Sequence, residues 1–173
     1  MRSVPHFADT AKRGPCRHRG LPISRCGEHS YRSQHNMTQP TVIYTGKTRT
    51  TGGRNGNARS SDNRLAIELS GPGSNGPGTN PEQLLGAGWS ACFLGALGRA
   101  AQAAGVVLPK DAAVEAEIDL CRLEDAFLLA ARLSVSLPGI DADVARSLAE
   151  RAHQLCPYSK ATRGNIDVAI HVI

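Results

Sequence analysis

This sequence predicts an α+β fold with a mostly antiparallel sheet and two long helices, in the order ββ-α-ββ-α-β. Three observations carry that prediction. Residues 42–51, 65–69, 114–124, 127–137 and 166–172 are β-branched or alternating apolar runs, the mark of half-buried strands. Residues 81–104 and the stretch after Asp141 have helical spacing behind capping signals. Four of the strands arrive as adjacent pairs, which hairpins join without a crossover.

The first strand gathers Val42, Ile43, Tyr44 and several threonines. Gly52-Gly53-Arg54-Asn55-Gly56 follows as a turn-rich connection, since glycine reaches positive φ freely. Leu65, Ile67 and Leu69 alternate on one face of a second strand, so the two read as a hairpin with an elaborate loop. Residues 71–80 are a loop that ends on a helix start. Asn80 is placed to cap it, Pro81 suits the first helical position, and Glu82 and Gln83 suit the first turn. Gly105 stops the helix. Gly86, Gly88, Gly95 and Gly98 inside it each cost up to about 1 kcal/mol relative to Ala. Close packing against other helices is the expected compensation.

Residues 114–124 and 127–137 make a second hairpin around Glu124-Asp125. Asp141 caps a second helix, on which Val144, Leu148, Ala152 and Leu155 form an apolar stripe. Ala145, Ala149 and Cys156 share a neighbouring face, and Pro157 marks the helix end or a kink. Ile166, Val168, Ile170 and Val172 alternate in the closing strand. Two such helices cover only one face of the sheet, which predicts an intertwined dimer.

The 173 residues suffice for one domain, and 40% hydrophobic with 20% charged residues is a globular profile. No run reaches the roughly 18 apolar residues of a membrane span. The longest uncharged stretch, residues 83–98, holds four glycines and reads as a buried helix. No membrane partner is expected. Residues 1–36 carry seven Lys/Arg against Asp9 and Glu28, a surplus that equals the whole formal charge of +5. Residues 37–173 are therefore neutral and offer no basic stripe for nucleic acid.

Residues 1–36 show no period of 2 or 3.6, and their Arg, His, Ser, Gly and Pro content predicts a disordered basic leader. Cys16, His18, Cys26 and His29 invite a zinc reading, but the cysteine spacing fits no common finger. An Arg-rich, acid-poor targeting segment would show an amphipathic face, and none is visible. Composition changes abruptly at Met37, an alternative start, so 37–173 is the expected domain. Five unevenly spaced cysteines do not make a secreted disulfide scaffold, and a reducing cytosol is the expected compartment.

Taken singly, Cys92 and Cys156 are the kind of cysteine that serves as a small core hydrophobe. Their surroundings say more. Cys156 lies between His153 and Pro157-Tyr158-Ser159, a polar context for a core helix. Arg54 and Glu82 stand in glycine-rich segments of the sort that display functional groups. A carboxylate at a helix start can also hold a guanidinium bidentately.

Five segments together resemble the organic hydroperoxide resistance proteins of the OsmC-like group. They are Thr51-Gly-Gly-Arg-Asn-Gly56, Gly78-Thr-Asn-Pro-Glu-Gln-Leu84, Gly88-Trp-Ser-Ala-Cys-Phe93, Leu133-Ser-Val-Ser-Leu-Pro-Gly139 and Ala152-His-Gln-Leu-Cys-Pro-Tyr-Ser-Lys-Ala-Thr-Arg-Gly-Asn165. The likeness spans residues 41–173 and none of 1–36. It implies an OsmC-like fold and a dimeric thiol peroxidase that uses no metal, haem or flavin. Carried over residue by residue, it makes Cys92 the peroxidatic cysteine and Cys156 the resolving one. Arg54 becomes the activating cation and Glu82 its orienting partner. Trp89 in place of a Tyr and Lys160 in place of an Asn depart from the pattern.

The chemistry so implied follows from the thiol. A cysteine of pKa about 8.5 is mostly protonated at neutral pH, and the thiolate is the nucleophile. A guanidinium beside Cys92 favours the anion and the alkoxide that leaves. Sulfenic acid then condenses with the second thiol to a disulfide. Leu84, Leu85, Phe93 and Phe127 are the expected apolar walls. The resemblance points to lipoylated proteins as the external dithiol. An OsmC-like enzyme with another substrate, a redox sensor, and two inert core cysteines are the alternatives; turnover with a dithiol separates them.

Overall fold

The computed structural model describes residues 40–173. The leader over 1–36, its four metal-ligand candidates and the start at Met37 lie outside the described residues.

The described chain runs β1 (Thr48–Thr51), a 3-10 turn (Gly53–Asn55), β2 (Asn57–Ser60), β3 (Ala66–Glu68), α1 (Pro81–Ala104), β4 (Ala113–Leu123), β5 (Ala126–Ser136), α2 (Ala142–Leu155), α3 (Pro157–Thr162) and β6 (Asp167–Val172). Two three-stranded sheets result, ordered β1-β2-β3 and β4-β5-β6. The α+β class, the antiparallel hairpin and the long helices are as predicted. β6 pairs with β5 in parallel, which the helical crossover through α2 and α3 permits.

The amino-terminal sheet differs from expectation in two ways. The strand predicted over 42–51 forms only at Thr48–Thr51, and Ile43 and Tyr44 are exposed. Its partner β2 is four residues long and ends in the turn at Asp62-Asn63, so the earlier β-branched residues meet no ladder. Residues 57–60, expected inside a loop, are themselves a strand between β1 and β3. Only Ala58 of the four is buried, so the hydrophobic pattern carries almost no signal there.

The turn between β1 and β2 positions Arg54. Gly52 takes φ 73, and a Cβ on Gly56 would fall 1.8 Å from the Thr51 carbonyl oxygen. The turn closes only because both are glycine.

Helix α1 begins and ends on the predicted caps. Asn80 Oδ1 accepts from the Gln83 N–H at 2.8 Å, and Gly105 takes φ 68 where the chain leaves the helix. The helix is long and apolar enough, by length and composition, to cross a membrane. Here Trp89, Phe93, Ala96, Leu97, Ala100 and Ala101 are buried in the core instead. They pack with Leu133 and Val135 of β5 and with Ala145, Leu148, Ala149 and Ala152 of α2. Each large apolar side chain so buried contributes roughly 1.5–3 kcal/mol.

On α2 the buried stripe is Ala145, Leu148, Ala149 and Ala152, continued by Cys156, while Val144 is exposed at its edge. The glycines of α1 divide by neighbour. Gly86 lies on β4, with Ile118 and Ala116 at 3.5 and 3.6 Å from a built Cβ, and Gly88 lies under Tyr158 of α3. The Gly86 contact is thus to a strand, not to a helix as expected. Gly95 and Gly98 face open space within the chain.

Candidate active site

Cys92 sits half-way along α1 and Cys156 at the junction of α2 and α3, and their sulfurs lie 3.3 Å apart. Both thiols are free. The backbone brings them together for a local reason. Pro157 disfavours helical backbone at the residue before it, and Cys156 adopts φ −63, ψ 122. The chain breaks there and restarts as α3, which lies against α1.

Cys156 is fully buried and Cys92 partly so. Burial pushes the Cys92 thiol above the ordinary range, the backbone N–H of Tyr158 pulls it back, and the Cys156 thiol adds to the rise. The balance favours the protonated thiol. Among the described residues, no positive charge is among the groups that shift Cys92.

Arg54 and Glu82 form the second predicted pair. The guanidinium donates from Nη1 to Oε2 at 2.9 Å and from Nη2 to Oε1 at 2.7 Å. This two-pronged bond holds the Glu82 carboxyl below the usual carboxylate range. Glu82 is in the first turn of α1, and Cys92 follows ten residues later. At 1.5 Å per residue the two stand about 15 Å apart along the axis. The thiol pair and the ion pair are each assembled, but at separate stations on the helix.

An apolar hollow of about 400 Å³ opens beside Arg54, lined by Pro72, Leu120 and Phe127. Of the expected walls, Phe127 is exposed at this hollow. Phe93 is fully buried in the core, because it faces inward one residue after Cys92.

Sequence reasoning missed one buried bond. Trp89 Nε1–H donates to Ser159 Oγ at 3.2 Å, and both residues are fully buried. Trp89 precedes Cys92 by one helical turn, a spacing that could have flagged it.

The family model described as OsmC-like protein matches residues 71–171. An organic hydroperoxide resistance protein of Xanthomonas axonopodis pv. citri is 42% identical over 133 residues, 75% of this chain and 94% of that relative. The chain belongs to the OsmC-like family, among the organic hydroperoxide resistance proteins. An uncharacterized protein of Acinetobacter baylyi is 46% identical over 79% of this chain and 98% of its own length. The crystal structure of the organic hydroperoxide resistance protein OhrB of Bacillus subtilis superposes with a TM-score of 0.72 at 36% identity. That match covers 76% of this chain and the whole of the OhrB chain. The OsmC-like match begins at Gly71, so Arg54 falls outside it, whereas Glu82, Cys92 and Cys156 fall within.

Proposed function

We propose that this chain is a cysteine-based peroxidase that reduces organic hydroperoxides to alcohols and so protects against oxidative stress. The single observation that carries the reading is the 3.3 Å separation of the Cys92 and Cys156 sulfurs. The names of the organic hydroperoxide resistance relatives give the substrate class.

The Cys92 thiolate attacks the peroxide, the O–O bond breaks, and the alkoxide takes up a proton to leave as the alcohol. Cys92 is then a sulfenic acid. Cys156 attacks its sulfur, the S–S bond forms, and water leaves. An external dithiol, for which lipoyl groups are the proposed source, reduces the disulfide and becomes a disulfide itself. Electrons pass from the Cys92 sulfur to the peroxide oxygen and then from sulfur to sulfur, so the scheme calls on no metal. A reducing cytosol suits it.

The cation for Cys92 comes, in this reading, from a second copy of the chain. Two observations support a dimer. Glu82, which holds Arg54, stands about 15 Å along α1 from Cys92, and among the described residues no positive charge acts on the thiol. The open face of α1 carries Ala87, Ala91, Gly95 and Gly98, small enough for a second helix to approach closely. Two copies related by a two-fold axis would bring each Arg54–Glu82 pair, with its apolar hollow, toward the other copy's thiols.

The test is peroxide consumption with cumene hydroperoxide and dihydrolipoamide. Turnover by the wild-type protein and none by Cys92→Ser is expected. Equal consumption by both would overturn the reading.

A further inference from the structure

Helix α3 has only six residues, too few to hold its own position. It nevertheless carries the junction that aims Cys156. It packs on both α1 and α2, and two of its contacts with α1 fall just before Cys92. Trp89 donates to Ser159 at 3.2 Å inside the core. Tyr158 rests on Gly88, where a Cβ would come 3.1 Å from its hydroxyl oxygen. Trp89 stands three residues before Cys92, and Ser159 three residues after Cys156. The bond therefore ties together the two segments that carry the sulfurs.

We propose that the Trp89–Ser159 hydrogen bond is a strap that positions Cys156 for closure onto Cys92. Its biological meaning rests on the peroxidase reading. A disulfide requires the sulfurs to approach to about 2.05 Å, well inside their present 3.3 Å. In the closing step the Cys156 sulfur attacks the Cys92 sulfenic sulfur. The S–S bond forms, the S–O bond breaks, and hydroxide leaves with the proton given up by Cys156. A tethered α3 keeps the attacking sulfur within reach of that step; a loose α3 spends its time elsewhere. Both residues are positioning residues, since their hydrogen bond is to each other and not to either sulfur. A buried indole N–H without its acceptor is costly, so removing the hydroxyl alone releases the strap.

The test measures the two thiols as a redox couple, apart from any peroxide. Wild type, Ser159→Ala, Trp89→Phe and the double variant are equilibrated in glutathione buffers, and the effective concentration of Cys156 toward Cys92 is read from the oxidised fraction. Each single substitution is expected to lower it about tenfold, equivalent to about 1.4 kcal/mol. The double variant should be little worse than either single one, since both remove the same bond. In stopped flow with cumene hydroperoxide, disulfide closure should slow about ten times more than Cys92 oxidation does, and the sulfenic acid should become trappable by dimedone. Circular dichroism controls for folding; should Trp89→Phe fail to fold, Ser159→Ala alone decides.

Unaltered effective concentration in a folded Ser159→Ala, or equal slowing of both steps, would overturn the strap. A wild-type protein inert to organic peroxide would sink the peroxidase reading instead, while the glutathione equilibrium still tests the strap.

Discussion

Arg54 grips the Glu82 carboxylate with both terminal guanidinium nitrogens, at 2.9 and 2.7 Å, in the first turn of the helix that carries Cys92. The grip fixes the plane of the guanidinium and leaves its charge in place, with Arg54 still partly exposed beside an apolar hollow. In the proposed dimer, an arginine so held would serve the other copy's Cys92.

If that charge activates Cys92, Arg54→Ala should slow oxidation by cumene hydroperoxide by orders of magnitude, as losing a transition-state donor does. Glu82→Ala should cost less, because it loses orientation and keeps the cation. Circular dichroism should show both variants folded. Wild-type stopped-flow rates in folded Arg54→Ala would leave the thiolate without a named activator.

The pH dependence follows from the direction of the Cys92 shift. Burial raises this thiol, so without the cation the reactive thiolate accumulates only above the ordinary thiol range. The Arg54→Ala rate should therefore climb steadily through alkaline pH, whereas the wild-type rate should level off at lower pH. Superimposable profiles would separate Arg54 from thiolate formation.

Stability should carry the opposite signature at the Glu82 end. Its carboxyl is depressed in the folded state by Arg54, so its contribution is present above the unfolded carboxylate pKa and is lost as pH falls through the folded one. Glu82→Gln should be less stable than wild type near neutrality in urea titrations, and the two should converge in acid. A constant difference across pH would mean that charge plays no part.

Assembly can be tested by mixing two inactive variants. Arg54→Ala and Cys92→Ser, unfolded and refolded together, yield hybrids in which one site combines an intact Cys92 with the other subunit's Arg54. Random pairing should restore about a quarter of wild-type activity. Activity no greater than the unmixed variants show would place the cation in the same chain, or nowhere near the thiol.

Much of this architecture was legible because local signals agreed. Asn80, Pro81 and Gly105 bounded α1, Asp141 capped α2, and Pro157 marked the break that turns Cys156 toward α1. β2 was not legible, since a short strand with one buried residue has no hydrophobic period to read. The extent of β1 depended on a partner strand, which is a tertiary property. At the site, the sequence named four residues but not their division into two stations about 15 Å apart along α1. The Trp89–Ser159 bond joins residues 70 positions apart, a pairing no local pattern reveals.

Cys121 is exposed on β4. Cys121→Ser should leave peroxide turnover within about twofold of wild type, a surface-scale effect. A larger loss, with the fold intact, would make this third thiol a participant and reopen the assignment of the couple.

The most direct test of the central claim is peptide mapping by mass spectrometry after one equivalent of cumene hydroperoxide, without added reductant. The account predicts loss of two hydrogens per chain and a disulfide-linked peptide pair containing Cys92 and Cys156, reversed by dihydrolipoamide. A protein that stays fully reduced while the peroxide persists, or a first disulfide that joins Cys92 to Cys121, would contradict it.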